Sequence, residues 1–328
     1  MHSKGLLYTM LKLSKDEIYF EKRGFAPCQP EVQTALEKIL AAFVEGYNLT
    51  LAAKTHQQVV SNLDAAFDAH HVGFAYEGSG LCFAVKDLLK AWKKGSELRT
   101  FTTSHASKHD YIMTVGAGFA FARLPIPIMS IESYMKRLDP MLAWCVPDGY
   151  GFHDGFFHHK KTIDKCGNYP RQFPEYMHQL YDSGVGRSMW WVKGAQPHAI
   201  KAAIDAFPEA RRAEMWCGIG VAAAYAGGVG VPVLHQLTEL AGPYHADLMC
   251  GVPFATVMRM KGQNPSDWTE QACQTLLGMP TTQASAIILS LLAETNANWP
   301  GTEEDKMRHG YNRVREKLKQ HFAMTIEV

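Results

Sequence analysis

Cys217-Gly218-Ile219-Gly220-Val221-Ala222 is matched 33 residues later by Cys250-Gly251-Val252-Pro253-Phe254-Ala255. Moving outward, the same pair of small residues opens other apolar runs, at Gly78/Gly80, Gly116/Gly118, Gly149/Gly151 and Gly184/Gly186. The first members stand at 78, 116, 149, 184, 218 and 251, so the intervals are 38, 33, 35, 34 and 33 residues. A period near 34 is that of helix–turn–helix arrays such as tetratricopeptide repeats.

The intervening sequence supports helices. Ala199, Ile200, Ala203, Ile204 and Phe207 form one helical stripe, and Val233, Leu234, Leu237 and Leu240 form another. Breakers separate the pieces at Gly194–Pro197, Gly227–Pro232, Gly262–Pro265 and Gly278–Pro280. Strand-type alternation with hairpin turns is not visible. The expected fold is all-α: tandem helical hairpins of about 34 residues, a tetratricopeptide-like solenoid or an α/α array. Glycine costs a helix up to ~1 kcal/mol, so paired glycines imply that neighbouring helices approach closely.

Three regions are expected. Residues 1–70 form an N-terminal cap, with helices over Pro30–Leu49 and around Val59–Phe67 and a strand or irregular arm over Met1–Cys28. Residues 71–300 form the helical-repeat domain. Residues 301–328 form a C-terminal capping helix that begins charged and amphipathic at Glu303.

Composition narrows the function classes. The 328 residues are 47% hydrophobic and 20% charged, enough for a large core and too apolar for wholesale disorder. Thirty-three Lys plus Arg against thirty-two Asp plus Glu leave a charge of +1, which gives no electrostatic basis for binding nucleic acid or an anionic membrane. Seven scattered cysteines without a CxxC pair fit a reducing compartment, and the N-terminus lacks a signal-type apolar run; a cytoplasmic location is expected. The uncharged stretch Cys217–Leu234 is mostly Gly and Ala and contains Pro232, so it reads as a buried helix and turn rather than a membrane span.

Several strings carry a family resemblance. They are Arg23-Gly24-Phe25, Gly73-Phe74-Ala75-Tyr76-Glu77-Gly78, Asp148-Gly149-Tyr150-Gly151-Phe152-His153 and Gly184-Val185-Gly186-Arg187 with Trp190. Arg211-Arg212-Ala213-Glu214, Ala222-Ala223-Ala224-Tyr225-Ala226-Gly227-Gly228 and Leu240-Ala241-Gly242-Pro243-Tyr244 follow in order. Together they resemble the UnbL-type proteins encoded beside enediyne polyketide synthases, a family without an assigned biochemical role. The resemblance implies natural-product biosynthesis on a highly unsaturated polyketide chain and supplies no catalytic residues.

The residues themselves nominate a site. Glu77 and Asp148 occupy the same position in their units, directly before the first glycine, where Val115, Ser183, Cys217 and Cys250 stand elsewhere. A buried carboxyl there has a raised pKa and suits acid–base work; the plainer role is an ion pair with Arg123, Arg187 or Arg212. Tyr150, His153 and His109 are candidate assistants. Tyr76, Phe152, Trp190, Trp216, Tyr225 and Arg187 are candidate substrate contacts, the aromatics offering π faces to a conjugated chain or a developing cation. Arg187 also suits a tie to an acid in the adjoining unit, and Asp182 and Arg211-Arg212 read as structural.

No metal is specified; His153, Asp148, Glu77 and His109 form the alternative donor set, and Asp154 and His158 stand one helical turn apart. His158 and His159, followed by Lys160 and Lys161, read as a solvated face. P-loop, GxSxG and dinucleotide fingerprints are absent, so no cofactor is indicated. The leading expectation is an enzyme of acid–base rearrangement or cyclisation on a long apolar polyketide or isoprenoid chain. The alternatives are an iron- or copper-dependent oxidative tailoring enzyme and a non-catalytic scaffold for a polyketide synthase or pathway partner.

Overall fold

The glycines set how the helices meet. The computed structural model describes residues 11–93, 95–124 and 129–326, and among these it holds fourteen α-helices of eight residues or more and no strand. They are α1 (Pro30–Ala52), α2 (His56–Ala66), α3 (Val72–Leu89), α4 (Glu97–Ser104), α5 (Asp110–Arg123), α6 (Cys145–Phe157) and α7 (His178–Val192). The series continues with α8 (Pro197–Asp205), α9 (Glu209–Tyr225), α10 (Val231–Ala241), α11 (His245–Gly262), α12 (Asp267–Leu277), α13 (Thr281–Ala297) and α14 (Glu303–Ile326). Helices α1, α3, α5, α6, α7, α9 and α11 form an inner series, each packed on the next. Residues at both ends of α7 and α9 pair, Arg211 with Asp182 near the starts and Trp190 with the Gly227 carbonyl near the ends, so these neighbours run in the same direction.

Each glycine pair is a two-sided joint. The first glycine faces the preceding helix: a Cβ on Gly78, Gly116, Gly149, Gly184, Gly218 or Gly251 would land on the carbonyl oxygen of Phe43, Glu77, Val115, Asp148, Ser183 or Cys217 respectively. The second faces the following helix: a Cβ on Gly46, Gly80, Gly118, Gly151, Gly186 or Gly220 would land on the carbonyl of Ala75, Met113, Val146, Tyr181, Met215 or Leu248. The register never slips. Exceptions fall where a neighbour is missing or different: among the described residues α1 has no inner-series helix before it and carries Val44 in place of the first glycine, while α11 carries Pro253 in place of the second and packs more loosely on α13. Helix α1 therefore joins the array through the same joint as the later units.

The outer helices differ in pattern. Helices α8, α10 and α12 lie side by side and bury single stripes, such as Ile200 and Ile204 or Leu234 and Leu237. Inner helices are buried nearly all round, as in α7 from Leu180 to Val192. Not every unit is a full hairpin. Among the described residues, the α-helices in the linkers that follow α5 and α6 are short, Ile131–Met135 and His159–Thr162, in sequence interrupted by Pro125, Pro127 and Pro140 or by Pro170 and Pro174.

The array curls until its early and late members touch. Trp191 Nε1 on α7 donates to the Leu36 carbonyl on α1 (3.4 Å), and the rings of Phe74 on α3 and Tyr225 on α9 lie 4.8 Å apart. Arg259 on α11 is fully buried; its guanidinium donates to the His70 carbonyl (2.8 Å) and lies over the Tyr225 ring (4.2 Å). The described part of the N-terminal arm holds a 3-10 turn (Lys15–Ile18) and a short helix (Phe20–Arg23) ended by Gly24 at φ +70°, with no strand over residues 11–28. Residues 1–10 lie outside the described part. The solvated-face reading holds for His158, Lys160 and Lys161, which are exposed, but not for His159, which is buried, with Nε2 3.0 Å from the Arg23 carbonyl and its ring against Phe25. No single described helix is long and apolar enough to cross a membrane; α12 and α13 pass that test only as a pair bent by 77°.

Candidate functional site

Numbering each unit from its first glycine makes the interior legible. Positions −1, +3 and +7 fall on one helical face, and the joint turns that face inward in unit after unit. Position −1 supplies Phe43, Glu77, Val115, Asp148 and Ser183; position +3 supplies Leu81, Phe119, Phe152, Arg187, Val221 and Phe254. Position +7 adds Arg123, Phe156, Trp191, Tyr225 and Met258. These side chains enclose two apolar chambers inside the curl.

The first chamber lies among α1, α3, α5, α6, α7 and α9, and Leu13, Glu17 and Ile18 of the arm cover it. Its aromatic wall is continuous: ring centroids are 5.0 Å apart for Phe43–Phe119, 5.4 Å for Phe119–Phe152 and 5.2 Å for Phe152–Trp191. The arm is fastened where Arg123 takes both carboxylate oxygens of Glu17 (3.0 and 2.7 Å). The second chamber lies among α5, α6, α7, α9 and α11, with Tyr311 of α14 in its wall. Arg187 and Val221 line both. The cavities measure about 50 and 60 Å³, below the roughly 150 Å³ that admits benzene to an engineered protein core. A long guest therefore has to turn aromatic side chains or the arm aside.

The partition between the chambers is the polar part. Arg187 Nη2 donates to Asp148 Oδ1 at 2.6 Å, and the guanidinium lies 5.0 Å from the centre of the Phe152 ring. Burial works against the Arg187 charge, but Asp148 and Glu77 outweigh it and hold the guanidinium protonated more firmly than usual. Its Nε has no hydrogen-bond partner. Glu77, 6% exposed, faces the first chamber; burial pushes its carboxyl up to about 7, with Arg187 pulling it down and Asp148 pushing it up. A carboxyl poised near neutrality on an apolar wall can hold or release a proton at physiological pH.

A family model described as "Protein of unknown function (DUF1702)" matches residues 4–322. The chain belongs to the DUF1702 family. No curated protein and no solved structure matches it.

In this DUF1702 member the sequence-selected residues divide cleanly. Glu77, Asp148, Arg187, Phe152 and Tyr225 meet at or beside the partition. Tyr76, Tyr150, His153, Trp190, Trp216 and His109 lie off the inward stripe, at positions −2, +1, +4, +6, −2 and −7, and line neither chamber. Tyr76 donates to Asp64 on α2 (2.9 Å) and stacks on His109 at 3.9 Å; burial lowers the His109 pKa to about 3, and its Nε2 is unpartnered. Tyr150 accepts from Gln172 Nε2 (3.3 Å) and packs on Phe173; Trp190 donates to Gly227 (3.0 Å), and Trp216 is buried. The donor set His153, Asp148, Glu77 and His109 does not converge among the described residues. Phe119, Val221 and Phe254 are wall residues that individual motif reading passes over; the +3 register marks all three.

Proposed function

We propose that the protein is an enzyme that moves protons on a long apolar, polyene-like chain, driving its isomerisation or cyclisation. The observation that carries this reading is the Glu77 carboxyl, raised to about 7, on the wall of an aromatic-lined interior. Glu77 in its acid form donates a proton to an unsaturated carbon, and the resulting carboxylate accepts one from a neighbouring carbon, so no oxidant is required. Arg187, anchored by Asp148, stabilises the transient carboxylate. The rings of Phe119, Phe152 and Phe156 face the charge that develops on the chain. The resemblance to UnbL-type proteins encoded beside enediyne polyketide synthases supports a polyketide as the chain and secondary metabolism as the setting.

The test is complementation of a strain lacking this gene with Glu77→Gln and Asp148→Asn, reading pathway metabolites by mass spectrometry and folding by thermal melts. Loss of product by variants that still unfold cooperatively, with Glu77→Gln melting no lower than wild type, supports catalysis. Full product formation by both folded variants overturns it and favours a scaffold that holds a pathway partner.

A further inference from the structure

Outside the chambers, one polar cluster is left unexplained by packing. It lies where α6 ends, and it comprises His153, Asp154 and His158, whose ligand atoms lie within 4.8 Å of one another. We propose that these three residues bind a divalent transition-metal ion of the zinc class, at a site distinct from the Glu77–Arg187–Asp148 partition.

Three observations converge. His153 is 3% exposed, yet its Nδ1 has no hydrogen-bond partner, and a buried polar atom left unpaired costs about 1–3 kcal/mol. Asp154 Oδ1 lies 3.7 Å from that nitrogen. This is too long for a hydrogen bond, but two donors each bound at ~2.1 Å to one tetrahedral ion lie roughly 3.4 Å apart. The carboxylate is also held as a ligand should be. Tyr181 donates to Asp154 Oδ2 at 3.0 Å, which fixes the group from behind and turns Oδ1 toward His153.

The setting suits a cation in one more respect. Helix α6 finishes at Phe157, so the cluster sits at the negative end of the helix dipole. The opposing charge is Arg123, and both of its terminal nitrogens are committed to Glu17. Two imidazoles and one carboxylate form a donor set typical of zinc with one position left for water. The His153 ring packs on Phe119 (5.9 Å) and Phe157 (4.6 Å), both walls of the first chamber. Ligation would thus pin the end of α6 and that wall together.

The experiment uses full-length protein without a polyhistidine tag, loaded with Zn²⁺ or Co²⁺ and freed of excess ion. We expect one ion per chain by elemental analysis, a tetrahedral visible spectrum for Co²⁺, and a melting temperature that falls on chelation. His158→Ala removes an exposed ligand without opening the core and should fold while losing at least tenfold in affinity; His153→Gln should lose more. Sub-stoichiometric metal after loading, or undiminished affinity in folded His158→Ala, overturns the proposal. Neither result bears on Glu77, which is assayed by product formation.

Discussion

Glu77 sets a pH dependence whose sign is fixed by burial. The folded protein holds this carboxyl at about 7, above the ordinary value of 4.5, so the folded state keeps the proton after the unfolded chain has released it. Below about pH 4.5 both states are protonated and folding bears no penalty. Between there and pH 7 stability falls as pH rises, and above 7 the whole cost is present, roughly 3 kcal/mol. Glu77→Gln is expected to remove this fall, gaining on wild type at pH 8 and matching it near pH 4.5. Urea unfolding midpoints at both pH values check it; parallel slopes for the two proteins would contradict the assignment. Neighbouring residues show how much one helical position decides: Tyr76, directly before Glu77, faces Asp64 and α2, outside the chambers.

At the scale of the helix, the glycine joint makes a prediction with an internal control. Gly218→Ala would press a methyl group onto the Ser183 carbonyl and within 2.8 Å of the Arg187 amide, backbone atoms that cannot swing away. A loss of about 3 kcal/mol is expected. Gly310→Ala, on α14, meets nothing closer than Met141 Sδ at 3.5 Å and should gain up to ~1 kcal/mol from helix propensity. Chemical denaturation of the two variants separates them; a similar change in both would mean that the pairs are not joints. The repeat was readable in sequence because the joint tolerates so few residues. Glu77 and Asp148 could be aligned for the same reason. The aromatic candidates were harder to place, because Trp190 and Trp191 look alike as letters while only the second sits at +7. The His153–Asp154–His158 group was hidden in part by its spacing, which follows no helical turn throughout and depends on the break at His158. His159 was misplaced because its burial comes from Phe25 and Arg23 of the distant arm, which no local pattern reports.

Across the whole molecule, buried ions fasten the end of the array. Arg315 on α14 forms ion pairs with Glu214 on α9 (2.9 Å) and Asp247 on α11 (2.6 Å), and the Tyr311 hydroxyl donates to Glu214 (3.0 Å). Removing the arginine leaves the buried Glu214 carboxylate without a cation and Asp247 with Lys319 alone (2.9 Å). Arg315→Met is therefore expected to cost about 3–5 kcal/mol, against about 1 kcal/mol or less for Lys201→Met, whose pair with Asp205 is surface-exposed. Calorimetric unfolding of both variants decides whether α14 is a fastener or an ornament. The joints that build the rest of the molecule have a different property: each recognises only main-chain atoms. The glycine contacts themselves do not read the side chain directly ahead of each first glycine, and glutamate, valine, aspartate, serine and cysteine all occur there. Assembly and chemistry are thus written in separate alphabets, and selection or a designer can exchange the inward-facing letters one rung at a time while the ladder stands.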